Sequence, residues 1–211
     1  MVFTPYIHTV TDSEIKNIEA LGFSFEGSST PPAQFINTNF PNFDLLTVLS
    51  TINTSLAPTT ELKISKKIFL EEGDSVKLEI EYYSENCNDR NTGLALMRTF
   101  KWEGKDILVK HQYFRLPKPF RQQGISRNIL KALLQQYVNL GVKKILIHAS
   151  LEDGGFVWAK LYFMATDVDD VNVILAAAKA QLPPNQFAIA ERIYNNYYSK
   201  HPDGQSFPMN K

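Results

Sequence analysis

Residues 114–126 run Phe114-Arg115-Leu116-Pro117-Lys118-Pro119-Phe120-Arg121-Gln122-Gln123-Gly124-Ile125-Ser126. The hydropathy around them predicts a strand that ends, a short loop, and a long helix that begins. A backbone turning from a strand into a helix leaves several N–H groups without partners. Those groups, with the positive end of the helix, favour a phosphate or other anion. Gly124 lets the backbone approach such a ligand closely, and Ser126 is small enough to do the same. Arg121 adds a formal positive charge. An ordinary strand-to-helix turn has the same small residues, so the spacing alone leaves both readings open.

The elements that must hold this loop follow from the periodicity. From residue 61 to 116 the apolar period is two. Candidate strands are Lys63–Leu70, Val76–Ser84, Gly93–Trp102 and Ile107–Leu116, with a hairpin turn at Glu103-Gly104-Lys105-Asp106. Ser126–Leu140 then has Ile129, Leu133 and Tyr137 on one row and Leu130, Leu134 and Val138 on the next. That predicts a helix burying both rows, with Gly141 as its stop. Lys143–Ser150 is nearly continuous in apolar residues, as in a strand covered on both faces. Gly155–Phe163 predicts a further helix.

Residues 1–60 form a predicted helical and loop extension. Thr11-Asp12-Ser13-Glu14 opens a short helix through Ile15, Ile18 and Leu21. Gly27–Pro32 is a loop, and a second helix runs from Asp44 to Leu56. Residues 166–211 form a C-terminal helical extension, with helices at Asp169–Leu182 and Asn185–Lys200 separated by Pro183-Pro184. Phe187, Tyr194, Tyr197 and Tyr198 are expected to pack as an extra layer on the sheet, with a homodimer surface as the alternative.

Composition narrows the function classes. The chain has 211 residues, with 22 Lys plus Arg against 22 Asp plus Glu, so its formal net charge is zero. A dedicated nucleic-acid binder usually carries a basic excess, and an anionic membrane surface would also select for one. Neither partner is expected. The only cysteine is Cys87, which excludes an intramolecular disulfide and a cysteine-rich zinc site and fits a reducing cytoplasm. It lies in a polar stretch without an evident base, so it is not expected to be a nucleophile. No signal peptide, membrane span or lipidation motif is evident. No metal-ligand spacing and no Ser-His-Asp arrangement is evident, so no metal is expected.

Other titratable residues flank the loop. His111 lies on the strand before it and His148 on the strand after the helix, so either could act as a base; a structural role is the alternative for each. Glu152 and Asp153 follow that second strand, at the end where ligands gather in open sheets, with a helix cap or solvated loop as the alternative. Glu79 and Glu81 alternate with apolar residues and are expected to face solvent.

Arg121-x-x-Gly124-x-Ser126 resembles the Gln/Arg-x-x-Gly-x-Gly/Ala loop of the GNAT superfamily of N-acetyltransferases. Gly154-Gly155-Phe156-Val157-Trp158-Ala159-Lys160-Leu161-Tyr162-Phe163 is similar to a Gly-Gly-Tyr-x-Trp-Ala-Arg-x-Gly-Phe segment of a GNAT-like branch found in bacterial proteins. The resemblance covers roughly residues 62–165, and the expected acyl-CoA-binding core is 61–165. It implies an α/β (α+β) fold: a mixed, mostly antiparallel sheet with helices on both faces, opened into a V between strands 107–116 and 143–150. It implies acetyl-CoA as co-substrate. The backbone amides of Gln122, Gln123, Gly124, Ile125 and Ser126, with Arg121, would cradle the pyrophosphate. The main chain of Phe114, Arg115 and Leu116 would pair with the pantetheine arm, and Trp158 would lie against the cofactor. The implied reaction is acetyl transfer to a primary amine, on a small molecule or a protein, with His148 or Glu152 as base. The family's acid tyrosine aligns with Trp158, leaving Tyr162 as the candidate proton donor. A non-catalytic CoA-binding or protein-interaction module is the alternative that this position leaves open.

Overall fold

The computed structural model describes residues 6–59, 62–147 and 168–200. Two units divide at His148, residues 1–148 and 149–211.

The first unit is built on a six-stranded mixed sheet. It begins with α1 (Asp12–Ala20), β1 (Ser24–Gly27), α2 (Pro32–Asn39) and α3 (Leu45–Ser55). β2 (Ile64–Glu71), β3 (Lys77–Ser84), β4 (Ala95–Glu103) and β5 (Asp106–Arg115) follow, then α4 (Ile125–Asn139) and β6 (Lys144–Ile147). Spatial order equals chain order. β2 to β5 are antiparallel neighbours, and the two outer pairs, β1–β2 and β5–β6, are parallel. The expected α+β fold with a mixed, mostly antiparallel sheet is therefore present, and each strand predicted from the period of two is found within a residue or two of its bounds.

Burial follows the alternation. Along β3, Leu78, Ile80, Tyr82 and Ser84 are buried while Lys77, Glu79, Glu81 and Tyr83 are half-buried. Glu79 and Glu81 were expected to face solvent. Instead Glu79 accepts a hydrogen bond from the Thr99 hydroxyl at 2.6 Å. Partial burial, with Glu79 close by, pushes the Glu81 carboxyl above its usual range.

The first sixty residues supply much of the core. Phe35, Phe40, Phe43, Leu45, Leu49 and Ile52 are buried in one cluster with Ile80, Phe100 and Leu133. The Phe43 and Phe100 rings lie 4.7 Å apart, and Tyr137 of α4 meets Phe100 at 5.7 Å. β1 and α2 have no counterpart in the sequence reading. β1 is too short to show a period, and Pro31-Pro32, taken there as a loop, places a proline at the first position of a helix, where its missing N–H is not needed.

α4 is rotated from its expected setting. Its buried residues are Ile125, Ile129, Leu133, Gln136 and Tyr137. The second predicted row turns outward, with Leu134 41% and Val138 76% exposed. Gln136 takes the interior place because its side-chain oxygen accepts from the Asp44 N–H at 3.0 Å. A hydrogen bond lets a polar residue occupy a buried position at little penalty.

In the second unit, α5 (Val168–Gln181) and α6 (Pro184–Tyr198) match the two predicted helices. The Lys179 ammonium sits 6.0 Å from the centre of the Phe187 ring. No helix among the described residues is long and apolar enough to cross a membrane. The predicted helix Gly155–Phe163 and residues 148–150 of the predicted strand lie outside the described residues.

Candidate functional site

β5 and β6 are parallel neighbours, as the sequence predicts for strands 107–116 and 143–150. Leu108 pairs with Lys144, Val109 with Ile145, Lys110 with Leu146 and His111 with Ile147. β5 continues beyond this pairing to Arg115, held on its other side by β4. The register with β4 shifts between Met97 and Arg98: Met97 faces Tyr113 while Arg98 faces His111, leaving Gln112 as an extra residue. Such a bulge bends its strand and increases the local twist. It sits immediately past the last described β5–β6 pair.

The bulge is pinned from inside by Arg98, which is 1% exposed. Its Nη1 donates to the Met97 and Tyr113 carbonyls, both at 2.7 Å, across the register shift. Its guanidinium lies 5.5 Å from the centre of the Phe114 ring. Burial lowers the Arg98 pKa to about 10, and the facing Tyr137 hydroxyl partly offsets this. The Tyr137 hydroxyl in turn lies 2.6 Å from His111 Nε2. With a cation beside its oxygen, the hydroxyl directs its proton toward the imidazole, so Nε2 accepts. Burial first and the Arg98 charge second depress the His111 pKa to about 2. His111 is therefore neutral and enclosed, a packing residue beneath α4. Of the two readings open for it, the structural one holds.

Past Arg115 the chain makes a short 3-10 turn at Lys118–Phe120, then Gln122 and Gly124 both adopt left-handed backbone, with φ of 64° and 78°. A non-glycine residue at positive φ is uncommon, and here it turns successive amides toward one side. Gly124 is the N-cap of α4 and no side chain caps the first turn, which holds no acidic residue. A Cβ added at Gly124 would meet no atom within 4 Å, so the space outside this turn is open. Gln122, Gln123, Gly124 and Ser126 are exposed, while Ile125 is buried and anchors the turn.

The loop is held rigidly from behind. Lys118 N–H donates to the Asn91 carbonyl at 2.6 Å, and Arg115 Nη1 to the Cys87 carbonyl at 2.7 Å. Arg121 donates from Nε to the Leu116 carbonyl at 2.9 Å and from Nη2 to the Arg90 carbonyl. Gln123 bonds the Pro119 carbonyl at 2.8 Å. Arg121 was expected to contribute charge alone; it is also a brace, joining this loop to the one between β3 and β4. That facing loop is itself fixed. Asp89 Oδ1 accepts from Asn91 N, Thr92 N and the Thr92 hydroxyl. These bonds, Thr92's first, hold the Asp89 carboxyl below its usual range, and the Arg115 charge adds a lesser pull. Gly93 has no room for a side chain, since a Cβ there would fall 2.4 Å from the Asp89 carbonyl oxygen.

The structure thus brings Phe114, Arg115, Leu116 and Arg121–Ser126 together as one strand end, loop and helix start. Of the other sequence-derived candidates, His148, Glu152, Trp158 and Tyr162 lie outside the described residues. The sequence reading missed Arg98 and the bulge it pins. Alternation alone placed Arg98 on the buried face of β4 between Leu96 and Phe100, which was the available signal. Neither family models nor curated proteins nor solved structures yield a match to this chain.

Proposed function

We propose that the chain is an acyl-CoA-dependent N-acetyltransferase that moves an acetyl group from acetyl-CoA to a primary amine, on a small molecule or a protein, in the cytoplasm. One observation carries this reading: the uncapped, left-handed turn at Gln122–Gly124, which opens α4 shortly beyond the end of β5. Unpaired amides at a helix start, with no acid in the first turn and arginines behind the loop, suit a pyrophosphate. The bulged end of β5 supplies main-chain groups to an extended pantetheine arm. The thioester then lies toward the β5–β6 side, where the acceptor amine must arrive.

In that arrangement the chain acts mainly by positioning. The neutral amine nitrogen attacks the acetyl carbonyl carbon, the C–S bond breaks, and CoA leaves as thiolate. A base removes a proton from the amine nitrogen, and a donor or water protonates the thiolate. A free thiol has a pKa near ~8.5, so the leaving group needs little help at neutral pH. Bringing the reacting atoms into line provides much of the acceleration. His148 and Glu152 remain the residues proposed as base, and Tyr162 the donor.

The test is release of thiol from acetyl-CoA across a broad panel of amine acceptors. The expected result is amine-dependent thiol release, faster in Trp158→Tyr, which restores the family's acid at that position. CoA binding with no thiol release above background would replace the enzyme with the second class, a CoA-binding module without catalysis.

A further inference from the structure

Away from the loop, three side chains from three different segments converge near the start of the chain. His8, Glu14 of α1 and Asp44 at the N-cap of α3 each place one donor atom so that all lie within 4.8 Å of one another. None is fully exposed; the side chains of His8 and Glu14 are 19% and 20% accessible. We propose that this cluster is a binding site for a divalent transition metal of the zinc type, tying the segment before α1 to both helices.

The two carboxylates are already oriented by other work. Glu14 uses Oε2 for the capping box of α1, accepting from Thr11 N at 2.7 Å and the Thr11 hydroxyl at 3.0 Å. Asp44 uses Oδ1 to cap α3, accepting from Thr47 N at 2.9 Å, and Oδ2 accepts from the Tyr6 hydroxyl at 3.1 Å. Glu14 Oε1 is left toward His8. Hydrogen bonds that fix a carboxylate's orientation strengthen it as a ligand.

The histidine is the second observation. Its Nε2 is shut off from solvent and makes no hydrogen bond, although Glu14 Oε1 lies only 3.2 Å away. The contact has ion-pair distance but not the direction of a hydrogen bond. Two ligands of one ion have that relation, because each points its lone pair at the metal and not at the other. Two bonds of about 2.05 Å at a tetrahedral angle put donor atoms ~3.3 Å apart. Asp44 needs to close by at most roughly 1.5 Å from the outer limit of the cluster to join them. The backbone of His8 is fixed too: its N–H donates to Asn42 at 3.2 Å, and Val10 exchanges hydrogen bonds with Asn37 at 2.8 Å in each direction.

Charge and donor chemistry agree. A neutral imidazole and two carboxylates carry the two negative charges that a divalent ion balances. Mixed nitrogen and oxygen donors suit zinc better than calcium or magnesium, which take oxygen donors. This site is independent of acyl transfer, and its spacing of 8, 14 and 44 follows no local motif.

The test uses the full chain freed of metal with a chelator, titrated with Zn²⁺ alone by calorimetry and with Co²⁺ followed by visible absorption. The expected result is one saturable site, a melting temperature that rises with Zn²⁺, and the absorption of four-coordinate Co²⁺. His8→Gln abolishes all three. Glu14→Gln weakens binding at least tenfold while keeping the capping box, since glutamine serves at that position as well. No saturable binding overturns the proposal. Equal binding by the wild type and both variants also overturns it and leaves an adventitious ion only.

Discussion

α3 and α4 pack side by side and are joined by the hydrogen bond from Asp44 N–H to Gln136. Their first turns are finished in opposite ways. α3 starts at a carboxylate that accepts from Thr47 N–H within the chain. α4 starts at a glycine with no side chain to offer and no acid in its first turn. Both helices face the same unpaired N–H groups at their starts. α3 satisfies one of them with its own Asp44 carboxylate, whereas α4 has no side-chain cap and has Lys118, Arg121 and Arg127 in its neighbourhood of sequence. The difference teaches which helix start serves folding and which is available for a ligand.

The largest expected effect lies at the other end of α4, which is as closed as its start is open. His111 has a folded pKa of about 2 against the usual 6.5. Below pH 6.5 the unfolded chain takes up a proton that the folded chain refuses, so stability falls as pH falls, throughout the window down to about 2. The slope from this group approaches about 1.4 kcal/mol per pH unit. Urea unfolding between pH 6.5 and 4.5 should reveal it, and His111→Asn should flatten the slope in that window. Next in size is Tyr137→Phe, which removes the hydroxyl that lies 2.6 Å from His111 Nε2 and faces Arg98. It should destabilise by about 1–3 kcal/mol, measured by the same unfolding, and leave any CoA affinity unchanged. An equal loss of CoA affinity would mean the two ends of α4 are not separate.

The sequence made the open end more legible than the closed one. Gly124 between a strand and a helix announces a turn, and the period of two announces β2 to β5. Gln136 stands where hydropathy expects no interior residue, while the alternation around Arg98 places it on a buried face without naming what accommodates its charge. Each is accommodated by a partner far along the chain, Asp44 N–H in one case and the Tyr113 carbonyl in the other. For the same reason the expected second row of α4, Leu134 and Val138, gave way to Gln136. The His8, Glu14 and Asp44 cluster was invisible because three segments bring it together only after folding.

Smaller effects sharpen the contrast between the two helix starts. Asp44→Ala removes the cap of α3 and the acceptor of Tyr6, and should lower stability by about 1 kcal/mol, at most about 2. Gly124→Asn is the converse. Asparagine tolerates left-handed backbone and offers a capping oxygen, so stability should change by less than about 1 kcal/mol while CoA affinity falls. If Gly124→Asn binds CoA as well as the wild type, the first turn of α4 is not where the ligand sits.

The most direct measurement is the melting temperature of the full chain against CoA concentration, for the wild type, Gly124→Ala and Gly124→Glu. The alanine carries the backbone strain of positive φ without bulk or charge, so it separates folding from binding. The account predicts a concentration-dependent rise for the wild type, equivalent to about 2.7 kcal/mol at a hundredfold excess over Kd. It predicts a reduced but present rise for Gly124→Ala and none for Gly124→Glu. An unchanged wild-type melting temperature at millimolar CoA, or an undiminished rise in Gly124→Glu, would contradict it.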